Sequence, residues 1–327
     1  MSVIPKTILA ATDFSETAET AVRLARSLAG RFNASLHMLH VVVILEDPHL
    51  EEAHRLQLEA LVTSADDTRR KVLQESAAGR PDVEVVPHLV RGIAPAETIV
   101  EVAANAGADL IVMGTQGRRG ISHLLLGSVA GRVVRSASAP VLTVRSDAAV
   151  SVEGIARILV PHDFSEPSAK AVRTAAEWAR ALGAEITLLH VVEPVVYPEF
   201  YSAGTAADNL MPRLVSRSEE ALAKVCGELV GDVAAATRVE IGRGADTIVT
   251  VADPDAFDLV VMATRGLSGL EHVLLGSVAE GVLRRCRVPM LTIPGGSFSI
   301  LNSQFQFLIL NSRPPSQGMG GWRGIQN

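Results

Sequence analysis

The run Asp109-Leu110-Ile111-Val112-Met113-Gly114-Thr115-Gln116-Gly117, followed after nine residues by Gly127-Ser128, decides how this chain is read. Its apolar part reads as a buried strand, and Ser128-Val129-Ala130-Gly131-Arg132-Val133-Val134-Arg135 reads as the start of an amphipathic helix. The glycines therefore fall where a strand ends and where a helix begins. Free backbone N–H groups and the positive end of a helix favour an anion there. Gly114 and Gly117 would let backbone approach a phosphate with no Cβ in the way. Gly127-Ser128 would add N–H groups and a hydroxyl. A plain turn with a serine near a helix cap explains a single copy equally well.

A second copy exists. Asp258-Leu259-Val260-Val261-Met262 leads into Ala263-Thr264-Arg265-Gly266 and, nine residues on, Gly276-Ser277. The spacers also match, His123 and Leu124-Leu125-Leu126 against His272 and Val273-Leu274-Leu275. Two copies at one spacing make a chance turn a poor explanation. They differ where Ala263 stands in place of Gly114; a methyl group there would crowd a phosphate oxygen or merely shift it, and the first site is expected to bind more tightly than the second.

The repeat extends through the chain. Thr7-Ile8-Leu9-Ala10-Ala11 is a strand ended by Thr12-Asp13-Phe14-Ser15-Glu16, where Asp13 and Glu16 have capping-box spacing for a helix over residues 17–31. Strands follow over 35–43 and 83–90, with a long charged amphipathic helix over 50–78 between them. A helix from the Gly92 turn to about Gly107, the glycine loop with its helix, and the strand 140–144 complete the unit. The pattern then restarts, with Arg157-Ile158-Leu159-Val160-Pro161-His162-Asp163-Phe164-Ser165-Glu166 repeating the opening strand and turn. Leu188-Leu189-His190-Val191-Val192 repeats Met38-Leu39-His40-Val41-Val42, and Pro289-Met290-Leu291-Thr292-Ile293 repeats Pro140-Val141-Leu142-Thr143-Val144. The offset is 150 residues, then 149 after one residue is lost between Gly242 and Ile248. A unit this long is a duplicated domain. Strands alternating with helices give α/β domains, each doubly wound about a parallel sheet with right-handed crossovers. The expected domains are 1–146 and 155–294, joined by the linker 146–154. The tail 295–327 is expected to be disordered, with the apolar stretch 305–310 an aggregation hazard if exposed.

Composition narrows the function. A net charge of −6 and a pI near 5.9 argue against bulk nucleic-acid binding, but not against a local anion pocket. Cys226 and Cys286, the only cysteines, suggest neither disulfide framework nor metal knuckle. The N-terminus does not read as a signal peptide, and no apolar run reaches membrane-spanning length. A soluble cytoplasmic protein without a membrane partner is the expectation.

These residues resemble the universal stress protein family in its tandem form. The signature Gly-x2-Gly-x9-Gly-Ser/Thr is complete in the first repeat. The Asp-Phe-Ser-Glu turn, the His-Val of the second strand and the Pro-Val-Leu-Thr-Val final strand also match. The resemblance implies two Rossmann-like domains, each with a five-stranded parallel sheet ordered 3-2-1-4-5. It further implies ATP, with Mg²⁺, at the loop. Carried over residue by residue, it assigns nucleotide contacts to Thr12, Asp13, Val41, Met113, Gly114, Gly117, Gly127, Ser128 and Val129. The second set is His162, Asp163, Val191, Met262, Gly266, Gly276, Ser277 and Val278. Final-strand edges meet in dimers of the family. The two repeats should therefore meet as a pseudo-dimer within one chain, and homodimers of whole chains are compatible with this.

Blander readings stand beside these. Asp13 and Asp163 also suit helix caps. His40 and His190 suit packing or hydrogen bonding, His123 and His272 suit partly exposed structural positions, His88 and His162 have no metal-ligand spacing around them, and no His-Glu-x-x-His occurs. Arg118 is replaced by Leu267 and is not a shared requirement. No Ser-His-Asp order and no Walker lysine accompany the glycines, so binding is legible and catalysis is not. Three functions follow: an ATP-binding stress or regulatory protein, a nucleotide-independent scaffold of the same fold, and a slow ATPase.

Overall fold

Strands of Val, Ile, Leu and Ala with no polar alternation need cover on both faces, and they receive it. The computed structural model describes residues 4–43, 67, 71, 83–115, 127–145, 154–194, 210–266 and 275–295. The first repeat runs β1 (Thr7–Ala11), α1 (Glu16–Phe32), β2 (Ser35–Val43), β3 (Val85–Gly92), α2 (Pro95–Asn105), β4 (Leu110–Gly114), α3 (Ser128–Ser136), β5 (Val141–Val144). The second runs β6 (Arg157–Pro161), α4 (Glu166–Leu182), β7 (Glu185–Val192), α5 (Leu210–Leu229), β8 (Ala235–Ile241), α6 (Gly244–Val251), β9 (Leu259–Ala263), α7 (Ser277–Arg285), β10 (Met290–Ile293). Of the long helix expected over 50–78, only Asp67 and Lys71 are described, both helical. The linker residues 146–153 and the tail from 296 onward lie outside the described residues.

The strands form one sheet in the order β3-β2-β1-β4-β5-β10-β9-β6-β7-β8. Each repeat thus has the order 3-2-1-4-5, parallel throughout, and the order reverses between β1 and β4 and between β6 and β9. The two repeats meet edge to edge at the antiparallel pair β5–β10, with Leu142 opposite Leu291 and Thr143 opposite Met290. Two hydroxyls fasten this seam. Thr143 Oγ1 donates to the Met290 carbonyl at 3.2 Å, and Thr292 Oγ1 to the Val141 carbonyl at 3.0 Å. The pairing removes two apolar edges that would otherwise invite association.

Each face of the sheet carries a core that runs across both repeats. One gathers Leu24 and Leu28 of α1, Trp178 of α4 and the outward sides of β1, β4, β6 and β9. There Phe32 sets its edge against Trp178 at 5.3 Å, and Arg31 donates to the Ala181 carbonyl at 2.8 Å, joining α1 to α4 under the seam. The other core lies beneath α2, α3, α6 and α7.

The expected capping box is corrected. The cap of α1 is Ser15, whose Oγ accepts from Ala18 N–H at 3.3 Å, and the cap of α4 is Ser165. Asp13 Oδ1 instead accepts from both the N–H and the hydroxyl of Ser15, at 3.1 and 2.6 Å. This side-chain turn moves the helix start two residues along.

Candidate functional site

The turn after β1 is held from several sides. Thr12 N–H donates to the Leu39 carbonyl at 2.8 Å, and Thr12 Oγ1 accepts from Phe14 N–H at 3.0 Å. His40, on β2, donates from Nδ1 to the Thr12 carbonyl at 2.7 Å. A carbonyl has no proton to give, which fixes the tautomer. His190 grips the His162 carbonyl in the same way at 2.8 Å. Phe14 and Phe164 have φ of 61° and 65°, a left-handed backbone that a bulky side chain rarely adopts. Their rings pay back part of that strain by lying on His40 and His190, with centroids 4.6 and 4.5 Å apart. Asp13 and Asp163 directly precede the two phenylalanines, at the mouth of each sheet reversal. Asp163 Oδ1 accepts from Ser165 N–H and Oγ at 3.1 and 2.5 Å, as Asp13 does from Ser15.

The glycine loop leaves β4 through Met113, Gly114 and Thr115, beside Ala11 of β1. Thr115 N–H donates to Val144 of the seam strand at 2.8 Å, and Thr264 N–H to Ile293 at 2.9 Å. Gly127 N–H then donates back to the Thr115 carbonyl at 2.7 Å, and Gly276 N–H to Thr264 at 2.7 Å. This corrects the expectation that Gly127 offers its N–H to a ligand. The residue that closes the loop is the N-cap of α3, with Gly276 as that of α7, and neither makes a side-chain cap bond. What opens outward is the first turn beyond, Ser128-Val129 and Ser277-Val278, whose N–H groups have no intrahelical acceptor. Ser128 and Ser277 are exposed.

The two glycines at the strand ends have different reasons. A Cβ on Gly266 would lie 2.2 Å from Asp163 Oδ2, so this loop closes directly against the aspartate. A Cβ on Gly114 would lie 2.8 Å from Thr17 Cγ2 and 3.2 Å from the Thr17 backbone. The side chain at that position therefore points into the first turn of α1. Ala263, in the matching place of the second repeat, is buried in the core. Gly117, His123, His272 and Arg118 lie outside the described residues. Val41 and Val191 are half-buried near the ends of β2 and β7, and Met262 sits like Met113 at the end of its strand.

Electrostatics around the turns is mild. Burial lowers the pKa of His162, against the pull of Asp163. His162 Nδ1 and Thr115 Oγ1 have no hydrogen-bond partner among the described residues. Thr264 Oγ1, the counterpart of Thr115, accepts from Gly295 N–H at 3.3 Å, and the counterpart of Gly295 is Ser146, beyond the described residues. Burial pushes the Cys286 thiol up to about 11, which leaves it inert as a nucleophile. Among the described residues no group of three or more His, Cys, Asp or Glu is placed to hold a metal ion. No described helix is long and apolar enough to cross a membrane.

A model of the universal stress protein family matches residues 5–145 and again 154–294. The chain belongs to that family. A universal stress protein of Methanocaldococcus jannaschii is 36% identical over 142 residues, 43% of this chain and 82% of its own length. Another, of Mycobacterium bovis, is 32% identical over 228 residues, 68% of this chain and 72% of its own length. The crystal structure of a universal stress protein from Archaeoglobus fulgidus covers 89% of this chain and 99% of its own, with a TM-score of 0.63. At 21% identity that likeness is one of fold. Family membership supports a role in the stress response.

The strand-plus-glycine pattern located both sheet reversals from sequence. The strained Phe14 and Phe164 turns escaped it, since a positive φ at phenylalanine has no sequence signal.

Proposed function

We propose that this universal stress protein is an ATP-binding regulatory protein with a nucleotide crevice at each sheet reversal. Asp13 and Asp163 would meet the nucleoside, with Thr12, His162, Val41, Val191, Met113 and Met262 around the base. The loops at Gly117 and Gly266, with Ser128, Val129, Ser277 and Val278, would meet the phosphates. Gly127 and Gly276 shape the loop in this reading, and Gly114 seats it on α1. The observation that carries the reading is the closure of Gly266 on Asp163 beside the open first turn of α7. It joins a carboxylate acceptor to outward-facing N–H donors in one crevice. The oxygen chemistry of the crevice suits Mg²⁺. With no cluster of three or more acidic or histidine ligands described, the ion would keep most of its shell as water and phosphate.

Nothing in the described turns is arranged as a general base, and the proposed role is binding. Mass spectrometry of ligand released from freshly purified protein, followed by ATP titration, tests this. Adenine nucleotide at about one or two per chain is the expected result. Nucleotide-free protein that ignores added ATP would point to a scaffold, and turnover above background to an ATPase.

A further inference from the structure

His37 and His88 stand apart from both crevices, on neighbouring strands β2 and β3. Both side chains lie on the sheet face covered by α2, since His88 is opposite Leu39 in register and His37 is two residues before it. Their rings stack within 16° of parallel, centroids 5.0 Å apart, and His88 Nε2 lies 2.9 Å from His37 Nδ1. Both are half-buried, and β3 is the outermost strand of the described sheet at that end, which leaves them within reach of solvent. The negative charge of Glu84 acts on His37. The second repeat has Thr187 and Arg238 in the same register, so this pair serves nothing the two repeats share.

We propose that His37 and His88 form a two-histidine site for a late first-row divalent ion of tetragonal preference, Cu²⁺ or Ni²⁺. The ion takes the place of the proton between the two rings, which leaves to solvent, and each ring turns by roughly 45° to bring both lone pairs to one point. Metal–imidazole bonds are about 2.0–2.1 Å. Two nitrogens 2.9 Å apart then subtend about 90° at the ion. That is the angle between neighbouring ligands in a square-planar or tetragonal centre, narrower than a tetrahedral ion prefers, and imidazole donors favour Cu²⁺ most. Water completes the coordination from the open strand edge.

Cu²⁺ titration of the full-length chain, followed by electron paramagnetic resonance and calorimetry, tests the site. The first equivalent should show two imidazole nitrogens in the equatorial plane. His37→Asn and His88→Asn should each weaken that equivalent at least tenfold and remove one nitrogen from its spectrum. To guard against variants that merely misfold, the graft Thr187→His/Arg238→His should add a second ion with the same spectrum in the second repeat. Wild-type titration and spectrum in both asparagine variants, with no second ion in the graft, would overturn the proposal.

Discussion

The two repeats hold their turns with the same bonds and line them with different side chains. Thr12 and His162, Gly114 and Ala263, His37 and Thr187, and His88 and Arg238 occupy matching places. The bonds from His40 and His190 to the preceding turn, and from Gly127 and Gly276 to Thr115 and Thr264, are the same to within 0.1 Å. The frame is thus fixed by backbone acceptors and by small residues that let elements close, while the margins of each crevice were free to diverge. Glu193 illustrates this. Its carboxylate accepts from Gly244 N–H at 2.8 Å and ties the end of β7 to α6, a bond that Val43 cannot make in the first repeat.

The largest effect should come from breaking what the repeats share. Leu142 and Leu291 face each other fully buried at the seam. Replacing both with lysine buries two unpaired like charges, a penalty of order 4 kcal/mol or more. Because each core runs across both repeats, we expect loss of a single cooperative melting transition rather than two healthy halves. Calorimetry checks this, and an unchanged transition would mean that the seam contributes little.

Next come the crevices. Asp13→Ala and Asp163→Ala should each lower ATP affinity at their own repeat by about 1–3 kcal/mol, through a lost hydrogen bond to a charged group. Their helices keep the caps Ser15 and Ser165, so melting should change less than binding. Melting and titration on the same variants separate the two roles. A lowered melting temperature with intact affinity would make these aspartates turn residues alone.

The contrast between Gly114 and Ala263 yields a smaller effect, on stability. Gly114→Ala sets a methyl against Thr17 and should cost about 1–2 kcal/mol, whereas Ala263→Gly should cost about 1 kcal/mol through a small void and a freer strand. Neither change should alter ATP affinity directly. Equal melting of Gly114→Ala and wild type would show that α1 can retreat.

Much of this was legible in the sequence because it is local or repeated. Buried strands read as apolar runs, and the duplication placed the same turns twice. The seam could be expected because β5 and β10 are apolar and last in each repeat, and because the family resemblance makes them sheet edges that meet in dimers. Contacts between distant residues were not legible. An aspartate two residues before a serine reads equally well as a cap or as a turn that hands the cap on. The pairing of His37 with His88 depends on register between strands some fifty residues apart. That a side chain at Gly114 would meet Thr17 was not legible, because sequence gives a glycine's place but not the direction its missing side chain would take.

The smallest effect concerns acid, and it separates the repeats by mechanism. Burial lowers the pKa of His37 and His88 below the ordinary value of 6.5; His37 further disfavours the cation at His88, while Glu84 opposes the shift at His37. In the second repeat burial does the same to His162, with Asp163 and the Ser168 backbone opposing and His190 adding. A histidine lowered in the folded state takes its proton later than in the unfolded chain. As pH falls through 6.5 the unfolded state binds more protons, so stability falls with it, and above that range the effect vanishes. Melting temperature measured with a chelator present should therefore decline between neutral pH and pH 5. His37→Asn/His88→Asn should flatten that decline from the first repeat, and His162→Thr, which restores the residue at position 12, from the second. Both variants together should flatten it most, since the two groups lie on opposite sides of the seam and share no partner. A decline of unchanged slope in all three would assign the acid sensitivity to other groups, though in this range not to Asp232 and Asp246. Hydrogen bonds from Arg180 and Arg285 hold these two below the usual carboxylate range, and their contribution is lost only as pH falls toward that lower value.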